Sequence, residues 1–248
     1  METIIEHCAH HIPTLKTCSL TCYSWYITTL PHIHYTLVLR GGRNGGVKRL
    51  TDGYALGLFP FVKELQIMQP KSRWFSPLQF FSQRDSSLFY EFTKLQSLTI
   101  YRLDITAFIP GLLRHFGHLS KTLRSLTLVG PLSTSLQLYR FISLFTNLDD
   151  ISIRYFLPLT TVLDVLPPIF TTPKFQGKLV LVSSESVGTW ELLAALGSLQ
   201  FRSIQVSGVP KSVPVLLAAC AETLETFRIE PLTDTGMGLY IRPVMNSD

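Results

Sequence analysis

The residues best suited to hold a metal crowd the start of the chain. Cys18 and Cys22 lie four apart, with His7, Cys8, His10 and His11 shortly before them. On a helix such a pair shares a face and could ligate zinc jointly. A structural zinc site completes its shell with a second pair farther on, and none follows here. The three cysteines therefore read as small, reduced, buried hydrophobes. His115 and His118, three apart on a candidate helix, are geometrically able to share a metal but stand isolated, so they read as solvated or capping residues. His32 and His34 are isolated as well. Asp149 and Asp150 are adjacent in a candidate strand and project to opposite faces, which rules out a carboxylate pair. GGRNGG (41–46) follows a strand as phosphate-cradling loops do, yet has neither the GxGxxG spacing nor a GK[ST] ending, and reads as a surface turn. GxSxG, HExxH and a cysteine with a plausible histidine partner are missing too. The expectation is a non-enzymatic protein with no catalytic residue, cofactor or metal.

The dominant pattern in the sequence is a recurring strand. LRSLTL (123–128) is echoed by VKELQI (62–67), LQSLTI (95–100), LDDISI (148–153), FRSIQV (201–206) and LETFRI (224–229). HYTLVL (34–39) and QGKLVL (176–181) keep only the last two apolar positions. The fourth positions, residues 37, 65, 98, 126, 151, 179, 204 and 227, are spaced by 28, 33, 28, 25, 28, 25 and 23 residues. Such strands bury one face only, so each needs neighbours, and the period leaves room for a return segment beside each strand. The Leu-x-x-Leu-x-Leu core matches the leucine-rich repeat, but the turn positions that usually carry Asn or Cys hold Pro70, Leu103, Pro131 and Phe156. The array is thus degenerate and irregular.

Return segments read as helices where apolar residues fall at helical spacing: Phe108, Leu112, Phe116 and Leu119; Leu138, Phe141, Ile142, Phe145 and Leu148; Trp190, Leu193 and Leu196; Val213, Leu216, Leu217 and Cys220. Another candidate helix carries Leu50, Tyr54 and Leu58. The aromatics of 74–92, among them Trp74, Phe75, Phe80, Phe81, Phe89 and Tyr90, read as core around an irregular insertion. In 156–170, Pro158, Pro167 and Pro168 interrupt any helix.

Charged residues make up 16% of the chain, low against roughly 25% for soluble domains. A surface so rich in hydroxyls and aromatics tends to have partners. The net charge of +5 arises from scattered residues with no Lys/Arg run and no nucleic-acid module, so nucleic acid is not an expected partner. The longest stretch without a charged residue, Thr17 to Leu39, is long enough to cross a bilayer but holds too many hydroxyls, two histidines and Pro31. With no basic n-region ahead of it either, an intracellular protein, cytoplasmic or nuclear, is expected.

The first 30 residues stand outside the repeat. Pro13 suits a first helical turn; Leu15, Cys18, Cys22 and Trp25 recur along one face of the helix it would start, with Leu20 and Ile27 nearly opposite. Ile4, Ile5 and Cys8 suggest the end of an earlier helix. Residues 14–40 resemble the second half of an F-box, carried by Leu15, the Cys18-Ser19-Leu20-x-Cys22 core and Trp25. With a degenerate leucine-rich array behind it, the chain is similar to the F-box-like proteins of mushroom-forming fungi. The resemblance implies a substrate receptor of a cullin-RING ubiquitin ligase, which binds a Skp-type adaptor through its helices and a target protein through its array. The family opens with Leu-Pro and a full first helix, of which METIIEHCAHH (1–11) offers only the tail, so an adaptor contact weakened by truncation is expected.

The fold class expected is therefore α/β: an irregular leucine-rich-repeat solenoid of parallel strands with return helices, preceded by a partial F-box-like helical segment. Residues 1–30 would form the helices, 31–230 the array and 231–248 a cap or disordered tail. Leu15, Leu20, Trp25 and Ile27 are the candidate adaptor contacts. Alternation puts Gln66, Thr99, Tyr101, Thr127, Ser152, Arg154, Gln205, Ser207 and Arg228 on the outward strand face, a hydroxyl-rich surface with a basic accent for a partner with acidic or polar loops. Tyr101 and Arg154 are its expected hot spots. The alternative is a freestanding leucine-rich binding scaffold that has lost adaptor binding.

Overall fold

The computed structural model describes residues 2–40, 52–53, 56–68, 90–101, 116–130, 135–155, 174–182, 190–191, 193–194, 197, 199–208 and 211–231. Eight short strands carry the sequence pattern: β1 (Thr36–Arg40), β2 (Glu64–Met68), β3 (Ser97–Tyr101), β4 (Ser125–Val129), β5 (Asp150–Arg154), β6 (Lys178–Val182), β7 (Ser203–Ser207) and β8 (Thr226–Glu230). All pair in parallel in one sheet whose strand order is the chain order. The register is the one the repeat demands. Leu37, Leu65, Leu98, Leu126, Ile151, Leu179, Ile204 and Phe227 stand side by side, and the residues two further on form a second column.

The two columns differ from ordinary surface by burial. From β2 to β7 every residue of both is shut away from solvent, and each such Leu or Ile is worth about 1.5–3 kcal/mol relative to exposure. Val62, Leu95, Leu123, Leu148 and Phe201, one turn ahead of the strands, close the core from below. Against these pack aromatic rings of the return segments: Phe59 stacks on Phe92 at 4.6 Å, and Phe141 meets Phe116 and Phe145 edge-on at 5.4 Å.

At the sheet's entry edge one carbonyl per repeat receives two N–H groups from the next. Tyr35 accepts from Lys63 and Glu64, Lys63 from Gln96 and Ser97, Gln96 from Arg124 and Ser125, and Arg124 from Asp149 and Asp150. Gly177 and Arg202 accept in the same way. Asp149 breaks the rule and takes only the Lys178 N–H, at 2.7 Å. The cause lies in QGKLVL. Phe175 rather than Gln176 fills the buried slot, which brings the backbone at Gly177 so close that a Cβ there would run into the Asp149 carbonyl. At the exit edge Gly130, Tyr155 and Gly208 turn with positive φ, and each donates its N–H to the last carbonyl of the next strand. Tyr155, at φ 58, holds a conformation that costs a non-glycine residue about 1–2 kcal/mol.

Three helices precede the sheet: α1 (Glu2–His7), α2 (Ile12–Ser19) and α3 (Tyr23–Ile33). The single helix expected through Leu15, Cys18, Cys22 and Trp25 is in fact broken at Leu20–Cys22. The hydroxyls of Ser19 and Thr21 turn back onto the carbonyls of Lys16 and Cys18, offering the backbone a local alternative to helix. Of the return segments, α4 (Ser135–Ile142) and α5 (Val213–Ala219) are helical; Phe145 and Leu148 lie beyond the end of α4 but are buried as expected.

Some expected core positions lie at the surface. Phe227 keeps its register but is 38% exposed, and Ile229 56%, because β8 has no further strand over it among the described residues. Tyr90 lies exposed against the ring of His118, and Phe92 takes the buried place. The turn positions Pro70, Leu103, Pro131 and Phe156, the GGRNGG loop, Leu50 and Tyr54, the other 74–89 aromatics, Phe108, Leu112, His115, Leu196, and the stretches 156–170 and 232–248 lie outside the described residues.

Two substitutions test this register. Leu126→Asp places a carboxylate in the dry middle of the column and should cost more than about 4 kcal/mol, abolishing cooperative unfolding, whereas Phe227→Asp in the same column should cost under about 1.5 kcal/mol. Equal losses in thermal denaturation would show the column assignment to be wrong. Gly177→Ala should cost about 1–3 kcal/mol by forcing β6 off the Asp149 carbonyl; an unchanged midpoint in urea would contradict that contact.

Candidate interaction surfaces

The N-terminal helices are short, and among their exposed residues are the apolar Leu20, Tyr23, Tyr26 and Ile27. His11 caps α2, its Nδ1 lying 2.6 Å from Thr14 Oγ1 and accepting the Thr14 N–H, and Pro13 sits in the first turn, where no N–H is needed. Inside α3, Thr28 and Thr29 return their hydroxyls to carbonyls one turn back, which removes them as surface donors. Four residues are the candidate adaptor contacts, and the structure divides them. Leu15 is 0% exposed and belongs to the interior of the helical segment, so it is not free to touch an adaptor. Trp25 is half-buried, while Leu20 is 86% and Ile27 44% exposed.

Leu20 and Ile27 do not share one helix, as the unbroken reading required; Leu20 ends α2 and Ile27 lies within α3. The break creates a different apolar face. Starting α3 at Tyr23 puts Tyr23, Tyr26 and Ile27 three and four apart, hence side by side, with Tyr23 at 78% exposure and Leu20 exposed just before it. Tyr23 and Tyr26 escape the sequence reading because helical spacing does not say which side of the helix the rest of the chain leaves uncovered.

Of the N-terminal cysteines expected to be buried, Cys8 and Cys18 are half-buried and Cys22 is exposed at the α3 N-cap; only Cys220, outside that cluster, is buried. Among the described residues no three His, Cys, Asp or Glu side chains are grouped to hold a metal ion. Asp149 and Asp150 are both exposed, Asp149 standing 3.9 Å from Arg124.

The second surface is the outward face of the sheet. Register places Gln66, Thr99, Thr127, Ser152, Gln205 and Arg228 in one column, interrupted by Val180, and Tyr101, Arg154 and Ser207 in the next. Arg154 and Arg228 are exposed and the other members partly so. Along the entry edge runs a further row of exposed polar side chains that largely satisfy one another: Lys63 lies over the Tyr35 ring, and Arg124–Asp149 and Arg202–Glu225 stand at 3.9 Å. Such solvated pairs add little stability.

Between the two surfaces sits His34, which ends α3 and occupies in HYTLVL the slot that Val62, Leu95 and Leu123 fill in later repeats. Burial and, second, the charge of Lys16 hold its pKa below the ordinary histidine value of 6.5.

No helix among the described residues is long and apolar enough to cross a membrane. Compared with protein-family models, characterised proteins and solved structures, the chain matches none. The description that stands is an α/β protein with a single eight-stranded, all-parallel sheet.

The depressed pKa of His34 gives stability a pH dependence. The unfolded chain binds this proton more readily than the folded one, so the stability is complete above pH 6.5 and declines as pH falls through 6.5 toward the lower folded value. His34→Gln should flatten the urea midpoint across that window; a slope identical to the parent's would assign the dependence to other groups.

Proposed function

We propose that the chain is a non-enzymatic protein-interaction module: a degenerate leucine-rich solenoid with an F-box-like helical segment, serving as a substrate receptor of a cullin-RING ubiquitin ligase. The observation that carries the reading is the eight-strand register. Its inward columns are spent on stability, which leaves a polar outward face free to hold a target protein. The exposed apolar side chains of Leu20, Tyr23, Tyr26 and Ile27 support the second half of the reading, since they offer a Skp-type adaptor an anchor surface. A freestanding binding scaffold is the alternative, favoured by the burial of Leu15, which leaves fewer anchors for the adaptor.

Binding to a purified Skp-type adaptor separates the two. Leu20→Asp, at a fully solvated position, should leave the fold intact by circular dichroism and weaken adaptor binding by about 30- to 1,000-fold, the effect of losing one or two anchors. Affinity unchanged by Leu20→Asp and Ile27→Asp together would exclude this face, and a parent chain that ignores the adaptor would leave the scaffold reading.

A further inference from the structure

The outward face carries a line of residues that the repeat itself does not require. The last residues of β2 to β6 are Met68, Tyr101, Val129, Arg154 and Val182, held side by side by the sheet register. Their neighbours Ile67, Ile100, Leu128, Ile153 and Leu181 are buried, so alternation turns the line outward. At the flanking strands the same position holds Arg40, Ser207 and Glu230, so the apolar run is confined to the middle of the sheet. Beside it runs the polar column of Gln66, Thr99, Thr127 and Ser152. One cation interrupts the apolar line. Arg154 is exposed, is steadied by donation from Nε to Ser152 Oγ at 3.2 Å, and makes no ion pair among the described residues, whereas Arg124, Arg202 and Arg228 each stand beside a carboxylate.

We infer that this line docks an amphipathic α-helix of a partner protein, laid across the strands and carrying one acidic side chain among its apolar ones; the inference rests on the reading of the sheet as a protein-binding face. Spacing selects the helix. Neighbouring strands are about 4.8 Å apart, so the four steps from Met68 to Val182 cover about 19 Å. A helix presents a side chain to one face about every 5.4 Å, or about 22 Å over four turns, and stays close to one contact per strand. An extended peptide repeats on one side about every 6.8 Å, or about 27 Å over four steps, and drifts by more than one strand. Charge selects the acid. A carboxylate opposite Arg154 makes a charge-assisted hydrogen bond that no carboxylate among the described residues supplies there, and a basic helix would bury like charges together.

The test is selection of a random 16-residue peptide library, displayed on mRNA, against the full chain, with the Arg154→Glu variant as counter-selection. The peptides enriched should carry apolar residues three and four apart with an Asp or Glu among them, and should become helical on binding. Arg154→Glu should weaken them by at least about tenfold, and exchanging the peptide's carboxylate for Lys should restore binding to that variant. Met68→Asp and Val182→Asp, at the two ends of the line, should each weaken the same peptides. Enrichment of peptides with alternate apolar residues, of basic or proline-rich peptides, or of peptides indifferent to Arg154→Glu overturns the inference, as does no enrichment at all. A chain that binds the Skp-type adaptor yet enriches no acidic helix loses only this inference; one that enriches such helices and ignores the adaptor loses only the ligase reading.

Discussion

The structure depends on a single constraint: a strand with alternating apolar residues can bury only one face, and in a parallel sheet it can do so only in register with its neighbours. Slipping by one residue would turn the Leu65–Leu98–Leu126 column to solvent and bring Gln66, Thr99 and Thr127 inside. The carbonyls of Lys63, Gln96 and Arg124, each accepting two N–H groups from the next repeat, set the same register by a second and independent means. Side-chain burial and backbone satisfaction therefore demand one arrangement, which is why five-residue strands joined by long and unequal connections line up across the whole sheet.

Where one of the two means falters, the other compensates. QGKLVL lacks an apolar residue at its first position, and the chain recovers the buried slot by using Phe175 one residue earlier. The local shift costs one hydrogen bond, since Asp149 accepts once rather than twice, and requires glycine at 177. HYTLVL fills the same slot with His34, half-buried there, its pKa held below the ordinary histidine value by burial and, second, by Lys16. β8 keeps Leu224 in the slot and the double acceptance at Arg202, yet Phe227 and Ile229 are exposed because no further strand covers them among the described residues.

The strands were legible in the sequence because period-two alternation is local and is repeated in eight copies. Positions 37 to 227 fall into one column without adjustment. Burial at the end of the array was not legible, because alternation says which side a residue faces and nothing about whether a neighbour covers it. The N-terminal helices were legible in kind but not in phase. Leu15, Cys18, Cys22 and Trp25 keep helical spacing across a break, and only the hydroxyl back-bonds of Ser19 and Thr21 reveal that the helix stops between them. Which side of these helices is covered depends on what packs against it, and that leaves Leu15, a candidate contact, buried and Tyr23 and Tyr26 exposed. Met68, Val129 and Val182 share the last strand position with Tyr101 and Arg154, but an aliphatic side chain there carries no polar signal in the sequence.

This division of labour shapes what the outward face can do. Because inward columns and shared entry-edge carbonyls hold the sheet together, outward side chains at the strand ends contribute little that the fold cannot replace. Their identities are then free to answer to something else. Unconstrained, a solvated row would be expected to fill with polar and charged residues, as the entry edge does with Lys63, Arg124, Asp149, Arg202 and Glu225. The exit edge instead sets three apolar side chains and a tyrosine around one exposed arginine, on β2 to β6. Apolar side chains left only partly buried at the outward strand ends add little to the core, so their placement is a departure from what stability alone selects there.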